Sequence, residues 1–355
     1  MEKTKFYSWK NGKLCKGCRL CVEGEKLVLF ITGICPRNCW YCSLSEKKKS
    51  QDVIYANERP ISNVNEAIEE AKLCDAKGAG ITGGDPLSKL GRTVEYIKAL
   101  KKEFGKDFHI HLYTSLDLAD EGKLESLFNA GLDEIRFHPD IENNKLWNKL
   151  SLAKKFRWKA GVEIPVIPGL KEKTIRLIEF VKDKIDFLNL NELEFSELNY
   201  TEYEKRGLKT KNELSYGIKG SEELALELLE MFPGTNIHYC TSRLKDSVQL
   251  AKRIKRRAKN IKEKFDIVTD EGMLIRGAVY LDKNLKRKFK PEELEEAKKK
   301  INLKEIKIDE RKSRLLLSKK NVIKFSDKIK KLGYIPAVVE EYPTWDSLEI
   351  DVNFI

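Results

Sequence analysis

The sequence has no run of about 18 apolar residues, the length a membrane-spanning helix needs, and a spanning helix is excluded. Its start, Met1-Glu2-Lys3-Thr4-Lys5, has no apolar segment behind it. A secretory signal is therefore not expected, and the expected compartment is the cytoplasm. Low-complexity linkers and long internal repeats are also missing. Methionine is scarce, with 3 residues in 355, while Lys and Glu are abundant, a leaning seen in thermophiles. Acidic residues fall short of basic ones, 56 Asp and Glu against 68 Lys and Arg, giving a formal charge of +12. That excess suits a polyanion such as RNA, and equally a solvated lysine-rich surface.

What is there in quantity is an apolar fraction of 41%, enough for a sizeable core, in a chain long enough for two units. Short apolar runs alternate with helical patterns. Strand-like segments fall at 26–32, 78–82, 108–113, 133–138, 162–167, 187–194 and 236–240. Helical ones fall at 64–76, 91–104, 119–130, 143–158, 171–183 and 221–232. Alternation of this kind means parallel βα units. The expected fold class is α/β, a complete or partial TIM-like (β/α) barrel, whose chemistry sits on loops after the strands' C-terminal ends. Beyond it, 266–355 follows the order βαββαβ, with one more strand after Pro343. That predicts a small α+β, ferredoxin-like C-terminal domain. The expected organisation is a cysteine-rich segment 1–25, a barrel 26–240, a basic linker helix 241–265 and the domain 266–355.

Six of the eight cysteines lie between 15 and 42. In a reducing cytosol such clusters read as metal or Fe–S ligands rather than disulfides. Cys35-Pro36-Arg37-Asn38-Cys39-Trp40-Tyr41-Cys42 has the spacing C-x3-C-x2-C directly after the first strand. Three thiolates on one loop hold three irons of a [4Fe–4S] cube, and the missing fourth leaves one iron open. A structural zinc site normally takes four protein ligands.

This segment resembles the cluster loop of the radical S-adenosylmethionine (SAM) superfamily, and the barrel is similar to relatives of pyruvate formate-lyase activating enzyme. The resemblance implies an enzyme in which Cys35, Cys39 and Cys42 hold a [4Fe–4S] cluster. SAM binds the open iron and is cleaved reductively to methionine and a 5′-deoxyadenosyl radical. It implies a one-electron donor such as a ferredoxin or flavodoxin-like protein. It also implies that Tyr41 packs near the adenine. Thr82-Gly83-Gly84-Asp85-Pro86, after the second strand, resembles the family's Gly-Gly-Glu-Pro turn, whose backbone receives the SAM ammonium, with Asp85 where Glu is commonest. At later strand ends, Ser115, Arg136 and His138 are further candidates toward SAM, Arg136 through a bidentate pairing with its carboxylate. Val166-Ile167-Pro168-Gly169 resembles the fifth-strand turn. Glu192 and Glu194 are candidates to face the barrel interior. With roughly 25 residues before the first strand, a cobalamin-binding domain ahead of the barrel is not expected.

Cys15-Lys16-Gly17-Cys18-Arg19-Leu20-Cys21 has C-x2-C-x2-C spacing, the opening of a bacterial ferredoxin run. Of the remaining cysteines, Cys74 suits a helix core and Cys240 ends the seventh strand. Cys15, Cys18, Cys21 and Cys240 are therefore the expected ligands of a second [4Fe–4S] cluster, with zinc as the alternative.

Three substrate classes compete. Ten Lys and Arg between 243 and 264 suit RNA, tRNA in particular, and RNA modification is the favoured reading. Activation or modification of a protein, in the manner of a glycyl-radical activase, is the alternative, and small-molecule metabolism is the third. A non-enzymatic Fe–S or RNA-binding protein would leave the Gly83-Gly84 turn without a purpose.

Overall fold

The computed structural model describes residues 1–282 and 287–355. They form two compact units, Met1–Leu250 and Ala251–Ile355. The division falls inside the basic segment expected to be one linker helix over 241–265. Ser242–Leu244 is helical, Lys245–Leu250 is π-helical, and Ala251–Ile261 is an α-helix of the second unit. No helix among the described residues is long and apolar enough to cross a membrane.

The first unit is built on seven parallel strands: β1 (Lys26–Phe30), β2 (Gly78–Thr82), β3 (His109–Ser115), β4 (Glu134–His138), β5 (Lys159–Val166), β6 (Phe187–Glu192) and β7 (Ile237–Cys240). Each pairs with its successor in chain order. The complete-barrel alternative fails here, because β1 and β7 do not meet. β1 pairs instead with the antiparallel strand Ile54–Ala56, and β7 with Trp9–Asn11. Both edges of the 11-stranded sheet are thus occupied by local hairpins, and the barrel is partial.

The connecting helices start and stop where their sequence directs. Asn63 accepts from the backbone N–H of Asn65 and Glu66, and Glu66 reaches back to Asn63, a capping box that starts Val64–Leu73. Asp120 caps Glu121–Ala130, and Gly131, with φ of 101°, ends it in the left-handed conformation. The segment expected as an α-helix over 143–158 is a 3₁₀-helix, Asn144–Lys155. Its buried residues, Trp147, Leu150 and Ala153, recur every three positions, the 3₁₀ period.

Alternation along the strands separates two faces. Leu27, Leu29, Ala79, Ile81, Ile110, Leu112, Ile135, Phe137, Val162, Ile164, Leu188 and Leu190 join the main core against the helices. The residues between them are mostly polar: Lys26, His109, His111, Tyr113, Glu134, Arg136, His138, Glu163, Asn189, Asn191 and His238. This concave face is covered by an element absent from the sequence reading, the helix α1 (Lys16–Val22), which carries Cys18 and Cys21 and is preceded by Cys15.

In the second unit, β8 (Leu274–Tyr280), β9 (Lys307–Asp309), β10 (Arg314–Leu317), β11 (Ile335–Glu341) and β12 (Glu349–Phe354) form an antiparallel sheet ordered β9-β10-β8-β11-β12. The first four strands have the ferredoxin-like order, with β12 added at the edge. The expected helix over 322–332 is two short ones, Lys319–Lys324 and Ser326–Lys331. A buried ion network crosses this sheet. The fully buried Arg314 meets Asp309 (2.8 Å), Glu341 (2.5 Å) and Glu349 (2.6 Å), and Glu341 also meets Arg276 (3.0 Å). Removing one member of such a network strands the rest. Arg314→Met is expected to destabilise the chain by about 3 kcal/mol or more, seen as a lowered guanidinium midpoint for the second unit.

Candidate functional site

The loop leaving β1 carries Cys35, Cys39 and Cys42, each half-buried and none in a disulfide. Backbone bonds close its neck, Gly33 N–H to Gln51 O at 2.7 Å and Ser50 N–H to Gly33 O at 3.0 Å. A Cβ on Gly33 would stand 1.6 Å from the carbonyl oxygen of Lys48, so only glycine fits. A turn brings Cys42 N–H to Cys39 O (3.1 Å), and the Arg37 amide points at Cys35 Sγ (3.4 Å). Burial pushes the Cys35 thiol up to about 11 and raises Cys39 also, with the Arg37 guanidinium opposing it there.

The loop is clamped from outside. Arg37 donates to the His138 carbonyl (2.7 Å) and pairs with Asp140 (3.5 Å). Asn199 Nδ2 donates to Cys42 O at 2.5 Å. Trp40 packs edge-on to Tyr203, with the Arg206 guanidinium over its ring at 4.2 Å. Burial lowers His138 to about 4, so the ring is neutral near pH 7. Its Nδ1 lies 2.8 Å from the Glu163 carbonyl oxygen and therefore carries the hydrogen. Nε2 then accepts from the Tyr41 hydroxyl at 3.0 Å.

The Gly83-Gly84-Asp85 turn after β2 locks onto the same loop. Gly84 N–H donates to Thr32 O (2.7 Å) and Asp85 N–H to Ile34 O (2.8 Å). A Cβ at Gly83 would lie 2.4 Å from Thr32 O, and one at Gly84 2.5 Å from Ile34 O. Asp85 is fully buried and accepts from Leu87 N (3.0 Å), Thr114 Oγ1 (2.8 Å), Ser115 N (3.0 Å) and Ser115 Oγ (2.7 Å). Burial raises its carboxyl against the pull of Ser115 and Thr114. The aspartate, one methylene shorter than glutamate, is thus a buckle between the ends of β2 and β3.

Arg136 requires a correction. β4 points Glu134, Arg136 and His138 to one face, but only His138 stands level with the cysteine loop. The Arg136 side chain reaches the N-terminal cysteines instead. It donates to Glu134 (Nε, 2.7 Å), Glu163 (2.9 Å) and Tyr113 OH (2.9 Å), and to Cys15 Sγ (3.4 Å) and Cys18 Sγ (3.5 Å). With two carboxylates on one guanidinium, no free fork remains for a SAM carboxylate. Glu192 and Glu194 are also displaced from the expected interior. Glu192 accepts from Ser242 N (2.8 Å), and Glu194 pairs with Lys245 (2.8 Å).

Around α1, Gly17 N–H donates to Glu134 Oε2 (3.2 Å), and a Cβ on Gly17 would stand 2.4 Å from Arg136 Nη2. Asn189 Nδ2 reaches Cys18 Sγ at 3.4 Å. The Cys18 thiol lies well below the usual value, through its hydrogen bond with Cys15 first and the Arg136 charge and His238 imidazole beside it. Burial pushes Cys21 up to about 11 and raises Cys240. Cys240 packs with Val22, Leu244, Val248 and Phe6.

Sequence reasoning missed Arg37, Asn199, Gly17, Glu134, Glu163 and the buried histidines. A signal for several was present: polar residues at every second position of β3, β4, β6 and β7 mark a second, polar sheet face. Among the described residues, no three His, Cys, Asp or Glu side chains converge as ligands of a single metal ion. Three unpaired thiols on a clamped loop, with no fourth thiol on it, fit a cube with one open iron, whose sulfurs stand roughly 6–7 Å apart.

Gly84→Ala should cost about 1–3 kcal/mol, because backbone oxygens must move to admit the methyl group. Gly91→Ala, in the helix Leu90–Phe104 with open space around it, should instead stabilise by up to about 1 kcal/mol. Urea unfolding of both variants checks the contrast.

Comparison with known proteins supplies the remaining element. The Radical SAM superfamily model matches residues 29–186. A protein of Methanocaldococcus jannaschii, provisionally named a glycyl-radical enzyme activating enzyme, is 50% identical over 305 residues, 83% of this chain and 81% of that one. Biotin synthase of Actinobacillus succinogenes is 27% identical over 158 residues, 40% of this chain and 44% of its own. The solved structure of Streptococcus suis SuiB bound to S-adenosylmethionine has a TM-score of 0.42 at 16% identity, covering 61% of this chain and 50% of that one. The family match spans the cysteine loop and its supporting strands, and half identity extends over four fifths of a relative: the chain belongs to the radical SAM superfamily.

Proposed function

We propose that this radical SAM enzyme acts on a protein, as a glycyl-radical activase does, and that Cys35, Cys39 and Cys42 hold its [4Fe–4S] cluster. The observation that carries the protein reading is the extent of the M. jannaschii likeness. It covers 83% of the chain, more than the first unit contains, so it reaches into the second unit as well. A relative named as a protein activator therefore shares more than a common barrel.

The basic segment gives RNA less support than its charge count suggests. Arg243 lies over the Tyr7 ring at 3.9 Å, Lys245 pairs with Glu194 at 2.8 Å, and the buried Arg257 donates to the Pro343 carbonyl. These cations are engaged within their own units, which interrupts the stripe that a phosphate backbone would follow.

When bound, the cluster supplies the electron that cleaves SAM. The chain's own residues set the geometry. Arg37, Asn199 and the Tyr41–His138 pair fix the loop against β4 and the Glu197–Asn199 turn that follows β6. The glycine turn after β2 lies tight against the same loop because neither glycine carries a side chain, and the carbonyls of this half-buried turn are acceptors of the kind that suits the SAM ammonium. Asp85 keeps that turn in place by holding Ser115 and Thr114. Near-attack placement of a hydrogen donor depends on such rigidity. A separate electron-donor protein completes the proposed system.

Reconstituted protein with SAM and dithionite should release 5′-deoxyadenosine, and the Cys35→Ala, Cys39→Ala, Cys42→Ala triple variant should release none. Adding a cellular protein fraction should raise the release and produce a carbon-centred EPR signal in an added polypeptide. Both effects should survive ribonuclease and vanish after protease. Stimulation by total tRNA that survives protease would replace the protein reading with RNA modification.

A further inference from the structure

The second cysteine set has a setting that the reaction at the β1 loop leaves unexplained. Cys15, Cys18 and Cys21 follow one another at three-residue steps along α1, on the ridge that meets the concave face of the sheet. Cys15 and Cys18 both lie within 3.5 Å of one nitrogen, Arg136 Nη2. Donors around buried sulfur in this manner stabilise thiolate rather than thiol.

Three further observations point to an anionic ligand there. Lys26 is buried, and its ammonium donates to Ala79 O (2.9 Å) and His109 O (2.7 Å) and meets His109 Nδ1 (3.1 Å), none of them a carboxylate. Together with Arg136 it places two buried cations beside the three sulfurs. His238 is 5% exposed; its ring lies beside Cys18, yet neither buried ring nitrogen makes a hydrogen bond of good geometry. Two adjacent orphans on one ring are costly unless something binds them. Finally, His238 stands in register with Asn189 on the neighbouring strand, and it is Asn189 whose amide reaches Cys18 Sγ. Alternation puts His238 on that same concave face.

Cys240, two residues further on, has a different environment. It shares the concave face by alternation, but it packs with Val22, Leu244, Val248 and Phe6, and the Gln249 amide stands 3.9 Å from its sulfur, so its polar atom already has a partner where the His238 nitrogens have none. We propose that Cys15, Cys18 and Cys21, with the His238 imidazole as fourth ligand, hold a second iron–sulfur cluster within the concave face of the sheet.

Among the described residues no three such side chains are placed to hold a single metal ion, and zinc needs all of its ligands about 2.0–2.3 Å from one centre. The C-x2-C-x2-C spacing is that of an iron–sulfur run. Arg136 is the donor to the cluster's sulfurs, and Lys26 and Arg136 offset its negative charge. Glu134 and Glu163, held by Arg136, orient the donor in turn. β4 also ties this centre to the first one. Arg136 and His138 are two residues apart, roughly 7 Å along the strand, and His138 holds Tyr41 of the β1 loop.

The test uses the full-length Cys35→Ala, Cys39→Ala, Cys42→Ala variant, which isolates this centre from the SAM cluster and from any question of substrate. After anaerobic reconstitution with iron and sulfide, it should retain about four irons per chain, against about eight in the parent. The reduced cluster should show strong ¹⁴N coupling in pulsed EPR from a directly bound imidazole. Adding His238→Cys should keep the iron and abolish that coupling, since a thiolate replaces the imidazole. Adding Cys240→Ser should leave both iron and coupling unchanged. The proposal fails if the triple variant binds no iron, or if it holds one zinc instead. It fails equally if the nitrogen coupling is absent, or if Cys240→Ser removes the iron while His238→Cys changes nothing.

Discussion

A buried guanidinium organises the first unit. Arg136 gathers Glu134 from its own strand, Tyr113 from β3 and Glu163 from β5, and offers its remaining nitrogen to Cys15 and Cys18 on α1. Charges of this kind are tolerable inside a protein only when each is paired and hydrogen-bonded. The pairing therefore dictates how three strands face one another and where the N-terminal helix lies. Gly17 is part of the same constraint, since a side chain there would collide with both Arg136 and Glu134.

The reactive loop depends on this arrangement at one remove. β4 carries Arg136 toward α1 and, one alternation later, His138 toward the loop. Glu163 follows the same logic, with its carboxylate on Arg136 and its carbonyl on His138 Nδ1. The loop's other anchor is the backbone contact between the ends of β1 and β2, possible because Gly83 and Gly84 present no Cβ. Stiff supports on both sides leave the three cysteines half-exposed on a clamped platform. The edge of β1 is paired by the Ile54–Ala56 strand of a local hairpin, so β1 itself is not left unpaired.

The second unit follows its own rules. Its apolar core lies between the sheet and the helices Pro291–Ile301, Lys319–Lys324 and Ser326–Lys331. Its other face carries Arg314 and Arg276 with their carboxylates, a network with a partner for every charge. Part of the basic segment that looked like a uniform cationic surface in the sequence belongs to this unit's interior, as the buried Arg257 does.

Much was legible in the sequence because it depends on local order. Period-two and period-3.6 patterns marked the seven strands and most helices, and Asn63, Asp120 and Gly131 marked where helices begin and end. The C-x3-C-x2-C spacing and the Gly-Gly-Asp turn identified the reactive loop and its neighbour, since both are short contiguous motifs. Tertiary structure decided what separates residues far apart in the chain. Closure of the barrel was settled by hairpins claiming its edges, and the 3₁₀ winding of Asn144–Lys155 by packing every third residue. The destination of Arg136 depended on its height along β4, which a strand pattern leaves undefined. Which residues surround Cys15, Cys18 and Cys21 depended on docking α1 across β3, β4, β6 and β7. Those partners come from four separate strands, and only folding brings a buried charge and its counter-charges into reach.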